Sequence, residues 1–326
     1  MHGVCITLSG LSIHHPGLLT LRSSKVSARR VDGALQDVYR DPIVVEGFSY
    51  SYPSKPDVLK DLSFRVKRGE ALGIIGPNGA GKSTLCKALN GLVPHFYGGK
   101  VRGRIYVAGM DTLKHTVAEL STRVGLVFQE PENQLSGLAH TVEDEISFGL
   151  SMLGYPREVI VERTREALEK VGLQGLENRS PFELSGGQQQ RLAIATVLAM
   201  KPEVLVMDEP AAQLDPLGKT QVFNVLKELL YDGATIVVAE HEIEELATFT
   251  DRMILLEGGR IISEGVSRDV LRQVELLKSA GVDPPSVTEL AYLVENVCRI
   301  NLGQYPITID EAVSLFLELL EGGGRG

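Results

Sequence analysis

A chain of 326 residues, 43% of them hydrophobic and 23% charged, is long enough to bury a full core, as one large domain with an appendage or as two domains, and is not an intrinsically disordered polymer. Its formal charge of −9 argues against a nucleic-acid partner, since phosphate backbones are gripped by clustered Lys and Arg, and no apolar run approaches the ~20 residues that cross a bilayer. Cys5, Cys86 and Cys298 lie far apart, form no C-x-x-C pair and point to a reducing cytosol without a metal or redox role.

Residues 1–42 mix Ser, Gly, Pro and His with Arg22, Lys25, Arg29 and Arg30 and keep neither a helical nor a strand period, which predicts a poorly ordered N-terminal extension. The long apolar stretch and small-residue cleavage site of a secretory signal are missing; an organellar transit peptide and a misassigned start codon are the other readings. The His14-His15 pair has no third ligand nearby and is read as solvated.

From Ile43 the texture changes. Ile43-Val44-Val45 and Leu62-Ser63-Phe64-Arg65-Val66 are predicted strands around a turn, Tyr52-Pro53-Ser54-Lys55-Pro56, so a hairpin is expected. Tyr52, just ahead of the turn, either stacks on an adenine ring or packs at the hairpin end. Ala71 to Ile75 reads as a buried strand running into Gly76-Pro77-Asn78-Gly79-Ala80-Gly81-Lys82-Ser83-Thr84, which fits G-x-x-x-x-G-K-[ST]. The glycines let successive N–H groups turn inward on an anion, and a helix starting near Lys82 adds its positive end. Lys82 is placed to reach the β- and γ-phosphates of a nucleotide, and Ser83 offers a hydroxyl to the Mg²⁺ that a triphosphate requires.

Val101 to Val107 and Val124 to Phe128 are two further strands. Gln129 follows the second, where an amide coordinates Mg²⁺ or positions a water unless it is simply surface. Between Glu130 and Glu145 stand Glu130, Glu132, Glu143, Asp144 and Glu145 with no Lys or Arg, and a helix is expected from Thr141. This stretch is either a solvated face or a docking surface for a basic partner. An amphipathic helix is predicted over 158–171. Then Leu184-Ser185-Gly186-Gly187-Gln188 precedes a helical run to Met200, a second anion cradle more than a hundred residues after the first.

Val204-Leu205-Val206-Met207 ends in Asp208-Glu209, two carboxylates at the carboxyl end of a buried strand, where open α/β sheets bind ligands. Asp208 suits the Mg²⁺ shell; Glu209 suits activation of the attacking water. The strand Thr235 to Ala239 ends near His241, which is placed to donate to the γ-phosphate. Beyond Gly265, helices are expected over Ser267 to Ser279, Val287 to Arg299 and Ile309 to Leu320, the last capped by Thr308 or Asp310. Its stripe of Val313, Phe316, Leu317 and Leu320 is of the kind more often found in a core than at an interface.

In this order the stations resemble the nucleotide-binding subunit of an ABC transporter, over roughly residues 43 to 267. The resemblance implies an α/β fold: a P-loop NTPase (RecA-like) core with an antiparallel β subdomain and an α-helical subdomain at about 130–200, followed by a small helical extension at 268–326. It assigns Walker A to Gly76 through Thr84, the Q-loop glutamine to Gln129, the signature to Leu184 through Gln188, the end of Walker B to Asp208, the catalytic glutamate to Glu209, the D-loop aspartate to Asp215 and the switch histidine to His241. ATP is then shared between the Walker A of one protomer and the signature of another, so a second ATPase subunit, identical or related, is implied. Within the family, Phe128-Gln129-Glu130-Pro131-Glu132-Asn133-Gln134, Thr141-Val142-Glu143-Asp144-Glu145 and Val287-Thr288-Glu289-Leu290 look like the ATPases of energy-coupling-factor importers of cobalt, nickel and vitamins. That likeness implies a peripheral place on the cytoplasmic face of the cell membrane, a transmembrane coupling subunit whose arginines meet the acidic Q-loop region, a separate substrate-binding membrane subunit, and in some relatives a C-terminal dimerisation element. The chain departs from the family at Ala211 and Ala212, where the D-loop commonly has Thr or Ser, and at Glu240, where Thr often precedes the histidine. Competing readings are the ATPase of another transporter class, a soluble ABC ATPase acting on chromosomes or ribosomes, and a non-catalytic module. The second lacks its long heptad insertion or tandem cassette here, and intact Lys82 and Glu209 oppose the third.

Overall fold

A computed structural model of the chain describes residues 40–322 other than Gln213. The expectations for residues 1–39, including the His14-His15 pair and Cys5, lie outside the described residues.

The hairpin forms as expected from β1 (Ile43–Ser51) and β2 (Leu59–Val66), antiparallel with Ile43 opposite Val66 and Tyr50 opposite Leu59. β3 (Ala71–Ile75) is buried at all five residues, which is why it shows no polar alternation: a parallel strand covered on both faces carries a continuous apolar run. The chain then passes through α1 (Lys82–Leu89) and the short α2 (Leu92–His95) to β4 (Lys100–Val107) and β5 (Met110–Asp111). Leu85, Cys86, Ala88 and Leu89 of α1 are fully buried, so one face of that helix is locked to the core and its first turn is fixed in place. β4 pairs with β1, giving a four-stranded antiparallel sheet in the order β2-β1-β4-β5.

After α3 (Val117–Ser121) comes β6 (Val124–Val127), and then three helices, α4 (Val142–Met152), α5 (Arg157–Lys170) and α6 (Gly186–Ala199). They pack on one another through Ile146, Leu150, Leu168 and Leu192, part of a core that continues onto the sheet through Leu205 and Met207. α6 starts three residues before the helical run expected from Gln189, because Ser185 accepts the Gln188 N–H and Gln188 Oε1 accepts the Ser185 N–H, a reciprocal cap.

β7 (Val204–Asp208), α7 (Pro216–Tyr231), β8 (Thr235–Ala239), α8 (Ile243–Phe249), β9 (Arg252–Glu257) and β10 (Arg260–Val266) complete a six-stranded sheet in the order β10-β9-β3-β8-β7-β6. All neighbours are parallel except β9 and β10. The order puts the carboxyl ends of β3, β8, β7 and β6 side by side along one edge.

The helix expected over Ser267 to Ser279 is instead two, α9 (Ser267–Leu271) and α10 (Val274–Ser279). Gln273 leaves helical geometry at φ −78° and ψ 60°, and next to it Arg272 Nε donates to the Tyr305 carbonyl. α11 (Ser286–Cys298) and α12 (Ile309–Gly322) follow, and Thr308 Oγ1 accepts the Glu311 N–H at 3.3 Å at the start of α12. The apolar stripe of α12 is not core: Val313 and Leu317 are 53% exposed and Leu320 76%, while Ala312 turns inward.

Candidate functional site

The loop from Gly76 to Gly81 closes on itself through the Ala80 N–H, which donates to the Pro77 carbonyl at 3.1 Å. Two glycines are required by geometry. Gly76 has φ 152°, and a Cβ there would stand 2.1 Å from the Leu256 carbonyl oxygen; Gly81 has φ 112°, and a Cβ would come within 2.7 Å of Leu59 Cδ2. Gly81 is also the N-cap of α1 and has no side chain to occupy the first-turn N–H groups, which leaves them for an anion.

Lys82 is 4% exposed, and its Nζ donates to the Gly76 carbonyl at 2.8 Å and stands 3.3 Å from His241 Nε2. Burial lowers its pKa, opposed by the nearby carboxylates of Glu209 and Asp208. Tyr52 is half-buried; its hydroxyl lies 3.2 Å from Thr84 Oγ1, and its ring meets Tyr50 and Tyr97 edge-on. The tyrosine therefore packs at the hairpin end and also lines a cavity of about 270 Å³ with Asn78, Gly79, Gly81, Lys82, Ser83, Thr84, Gln129 and Glu209.

Asp208, the last residue of β7, is 4% exposed, and its Oδ1 is buried without a hydrogen-bond partner. Burial raises its pKa, and a hydrogen bond from Ser83 opposes the rise. Ser83, Gln129 and Asp208 line one cavity of about 350 Å³. An unpaired buried carboxylate oxygen beside a hydroxyl and an amide fits a hard divalent cation, so these three residues suit Mg²⁺.

Glu209 follows β7, between the residues that follow its two neighbouring strands. Its Oε2 accepts Gln129 Nε2 at 2.6 Å from the β6 side, and its Oε1 stands 2.7 Å from His241 Nε2 on the β8 side. The backbone at Glu209 has φ 51°, the left-handed region that side chains other than glycine avoid at a cost of about 1–2 kcal/mol.

Leu184 through Gln188 line no part of the cavity that holds Lys82. Gly186 instead lines a separate one of about 290 Å³ with Glu130, Glu132, Gln190, Ala212 and Leu214. Asp215 is the N-cap of α7 and accepts the Gly218 N–H at 2.8 Å. Of the five acids expected as one patch, Glu130, Glu132, Glu143 and Asp144 are exposed, but Glu145 is buried and holds the loop through the N–H and hydroxyl of Ser136 at 2.7 and 2.8 Å. Three residues at the site carry no motif. Tyr97 packs against Tyr52, Lys87 lies over the Tyr97 ring in the cavity of Ser83 and Asp208, and Glu240 is buried beneath His241. For the last of them the sequence did offer a signal, an acid closing the run Val237-Val238-Ala239-Glu240 at a position where the family often has Thr.

Residues 59–212 match the family described as ABC transporter. A Pyrococcus abyssi relative, provisionally named an ABC transporter ATP-binding protein, is 46% identical over 252 residues, covering 77% of this chain and 89% of that protein. The chain belongs to the ABC transporter ATP-binding family. Within that family, the energy-coupling factor transporter ATP-binding protein EcfA of Methanothermobacter thermautotrophicus is 37% identical over 286 residues, covering 86% of this chain and 88% of EcfA. Among solved structures, cbiO1 from Clostridium perfringens, described as part of the ABC transporter complex cbiONQ, superposes with a TM-score of 0.66 at 32% identity, over 78% of this chain and 99% of cbiO1. A dimeric ATP-binding cassette in a post-hydrolysis state with ADP and Pi gives 0.60 at 29% identity, over 69% of this chain and 99% of that one. The two sheets and the helices between β6 and β7 are thus the P-loop NTPase fold of ABC cassettes, and the chain is an ABC ATPase.

Proposed function

We propose that this ABC ATPase is the ATP-hydrolysing subunit of an energy-coupling-factor importer of a metal ion or vitamin. The observation that carries the catalytic part is the Glu209 carboxylate held between Gln129 and His241 beside Lys82. In this reading Lys82 and the N–H groups of Gly76 through Thr84 hold the β- and γ-phosphates, and Tyr52 supports the adenine. Ser83, Asp208 and Gln129 hold Mg²⁺, which when bound offsets the charge gathering on the transferred phosphoryl group. Glu209 takes the proton of the attacking water, and His241 donates a hydrogen bond to the γ-phosphate.

Because Leu184 through Gln188 stand apart from Lys82, a second ATPase subunit supplies the signature and the D-loop aspartate equivalent to Asp215. Closure of two subunits on ATP then moves the groove at Gln129 and drives a transmembrane coupling subunit, and hydrolysis reopens it. Exposed Glu130, Glu132, Glu143 and Asp144 suit the basic residues of that subunit, and the chain works at the cytoplasmic membrane face as a peripheral protein. No helix among the described residues is long and apolar enough to cross a membrane. The cargo is bound by a separate membrane subunit. The names of EcfA and of the cbiONQ complex support this reading. We further propose that the exposed stripe of α12 takes part in pairing the subunits.

The test is purification from detergent-solubilised membranes followed by assay of Mg²⁺-dependent phosphate release. Recovery of polytopic membrane partners with ATP-dependent phosphate release supports the proposal; recovery of ribosomes or DNA instead, or absence of phosphate release with every recovered partner, overturns it.

A further inference from the structure

Glu240 takes none of the roles assigned above, and it is 2% exposed at the end of β8, immediately before His241. Its Oε1 accepts the backbone N–H of Ala211 at 2.9 Å, and its Oε2 accepts the backbone N–H of His241 at 3.1 Å. One carboxylate therefore ties the loop after β7 to the loop after β8, and those are the loops that carry Glu209 and His241.

The ties on the Glu209 loop are few. Glu209 donates its N–H to the Ala239 carbonyl at 2.8 Å and accepts the Ala212 N–H at 3.1 Å, forming a turn with Glu209 at φ 51°. Pro210 has no N–H to give. Ala211, 1% exposed, has its N–H met by Glu240. Without that acceptor a buried donor is orphaned in the middle of a strained turn, and rotating the turn to free it moves the Glu209 side chain as well.

A carboxylate is suited to this place because it offers two acceptor oxygens and no donor. A glutamine keeps one acceptor and turns an NH₂ toward the other backbone N–H. The position is otherwise a poor one for an acid: burial, with Glu209 and Glu242 nearby, pushes the Glu240 carboxyl up to about 7.

We propose that Glu240 is a positioning residue for ATP hydrolysis: its carboxylate clamps the Ala211 and His241 backbones and so keeps the Glu209 carboxylate facing the His241 imidazole. The inference rests on the roles of Glu209 and His241 proposed above.

The test measures kcat and KM for ATP, and binding of a fluorescent ATP analogue, in the full-length chain within whichever assembly hydrolyses ATP. Glu240→Ala is expected to lower kcat at least tenfold while KM and analogue binding stay within about twofold, because Lys82 and the phosphate loop are untouched. Glu240→Gln is expected to fall between the parent and Glu240→Ala, since one of the two bonds survives. Should Glu240→Ala fail to fold, Glu240→Gln carries the test alone, with reduced kcat at unchanged KM expected. A parental kcat in Glu240→Ala or, where that variant does not fold, in Glu240→Gln overturns the clamp; so does equal loss in both variants, or loss of analogue binding in step with kcat. Glu209→Gln in the same assay separates the two failures. Parental turnover there removes the role of Glu209 itself, whereas low turnover there beside parental turnover in Glu240→Ala removes only the clamp.

Discussion

The Glu209 carboxylate faces the His241 imidazole with Oε1 2.7 Å from Nε2, although the two residues lie on different loops. They meet because β7 and β8 are adjacent and parallel, with Asp208 opposite Ala239, so both chains leave the sheet at the same edge. Gln129 reaches Glu209 from the other side because β6 is the other neighbour of β7.

Removing the charge at Glu209 without changing its shape tests its part in proton removal. Glu209→Gln is expected to lower kcat by at least about a hundredfold, the usual scale of a general base, with ATP-analogue binding retained. Turnover at the parental rate would show that another group accepts the proton.

Lys82 has its ammonium next to the Gly76 carbonyl and between the phosphate loop and His241. Lys82→Ala is expected to abolish nucleotide binding. Titration with a fluorescent ATP analogue checks this, and an undiminished binding curve refutes the phosphate role.

At Gly76 the limit is steric. A methyl group would meet the Leu256 carbonyl at 2.1 Å on a backbone at φ 152°. Gly76→Ala is therefore expected to destabilise the fold by at least about 2 kcal/mol, seen as a lower urea midpoint at unchanged m-value.

The raised pKa of Glu240 makes stability depend on pH with a definite sign. Burial is the largest cause, with Glu209 and Glu242 adding to it and the N–H groups of Ala211 and His241 opposing. Lys82 of the candidate phosphate loop is the nearby cation whose own ionisation feels Glu240. Between the ordinary value of 4.5 and about 7, the folded chain keeps a proton that the unfolded chain has released. The contribution is thus fully present below 4.5 and is lost as pH rises through about 7, a change of roughly 3 kcal/mol. Urea midpoints of the parent are expected to drop more between pH 5 and pH 8 than those of Glu240→Gln; equal drops would mean Glu240 does not titrate in this range.

The C-terminal stripe leaves Val313, Leu317 and Leu320 more than half exposed. Deleting residues 300–326 is expected to weaken self-association by at least tenfold in sedimentation equilibrium. An unchanged dimerisation constant would remove this segment from the interface.

Much of the site was legible from local chemistry. Gly76 through Thr84 reads as a candidate phosphate loop because glycines and a lysine that act on one anion must be close in sequence. Asp208-Glu209 reads as a ligand end because two acids after four apolar residues have only the strand terminus to occupy. Strand and helix periods likewise predicted β3, β7, β8 and α5 to within a residue or two. Glu145 and the α12 stripe were less legible. An acid in an acidic run and an apolar row on a helix look alike in sequence whether buried or exposed; only the Ser136 contacts and the exposure of Leu317 separate the cases.

By itself the sequence determined which groups are candidates for phosphate and cation chemistry, because those motifs are short and their spacing is covalent. The tertiary structure alone decided that Gln129, Glu209 and His241 share one carboxylate and that Glu240 lies beneath them with both oxygens engaged. Those pairings depend on the strand order β8-β7-β6, and strand order is set by which buried faces pack together, an interaction between residues far apart along the chain.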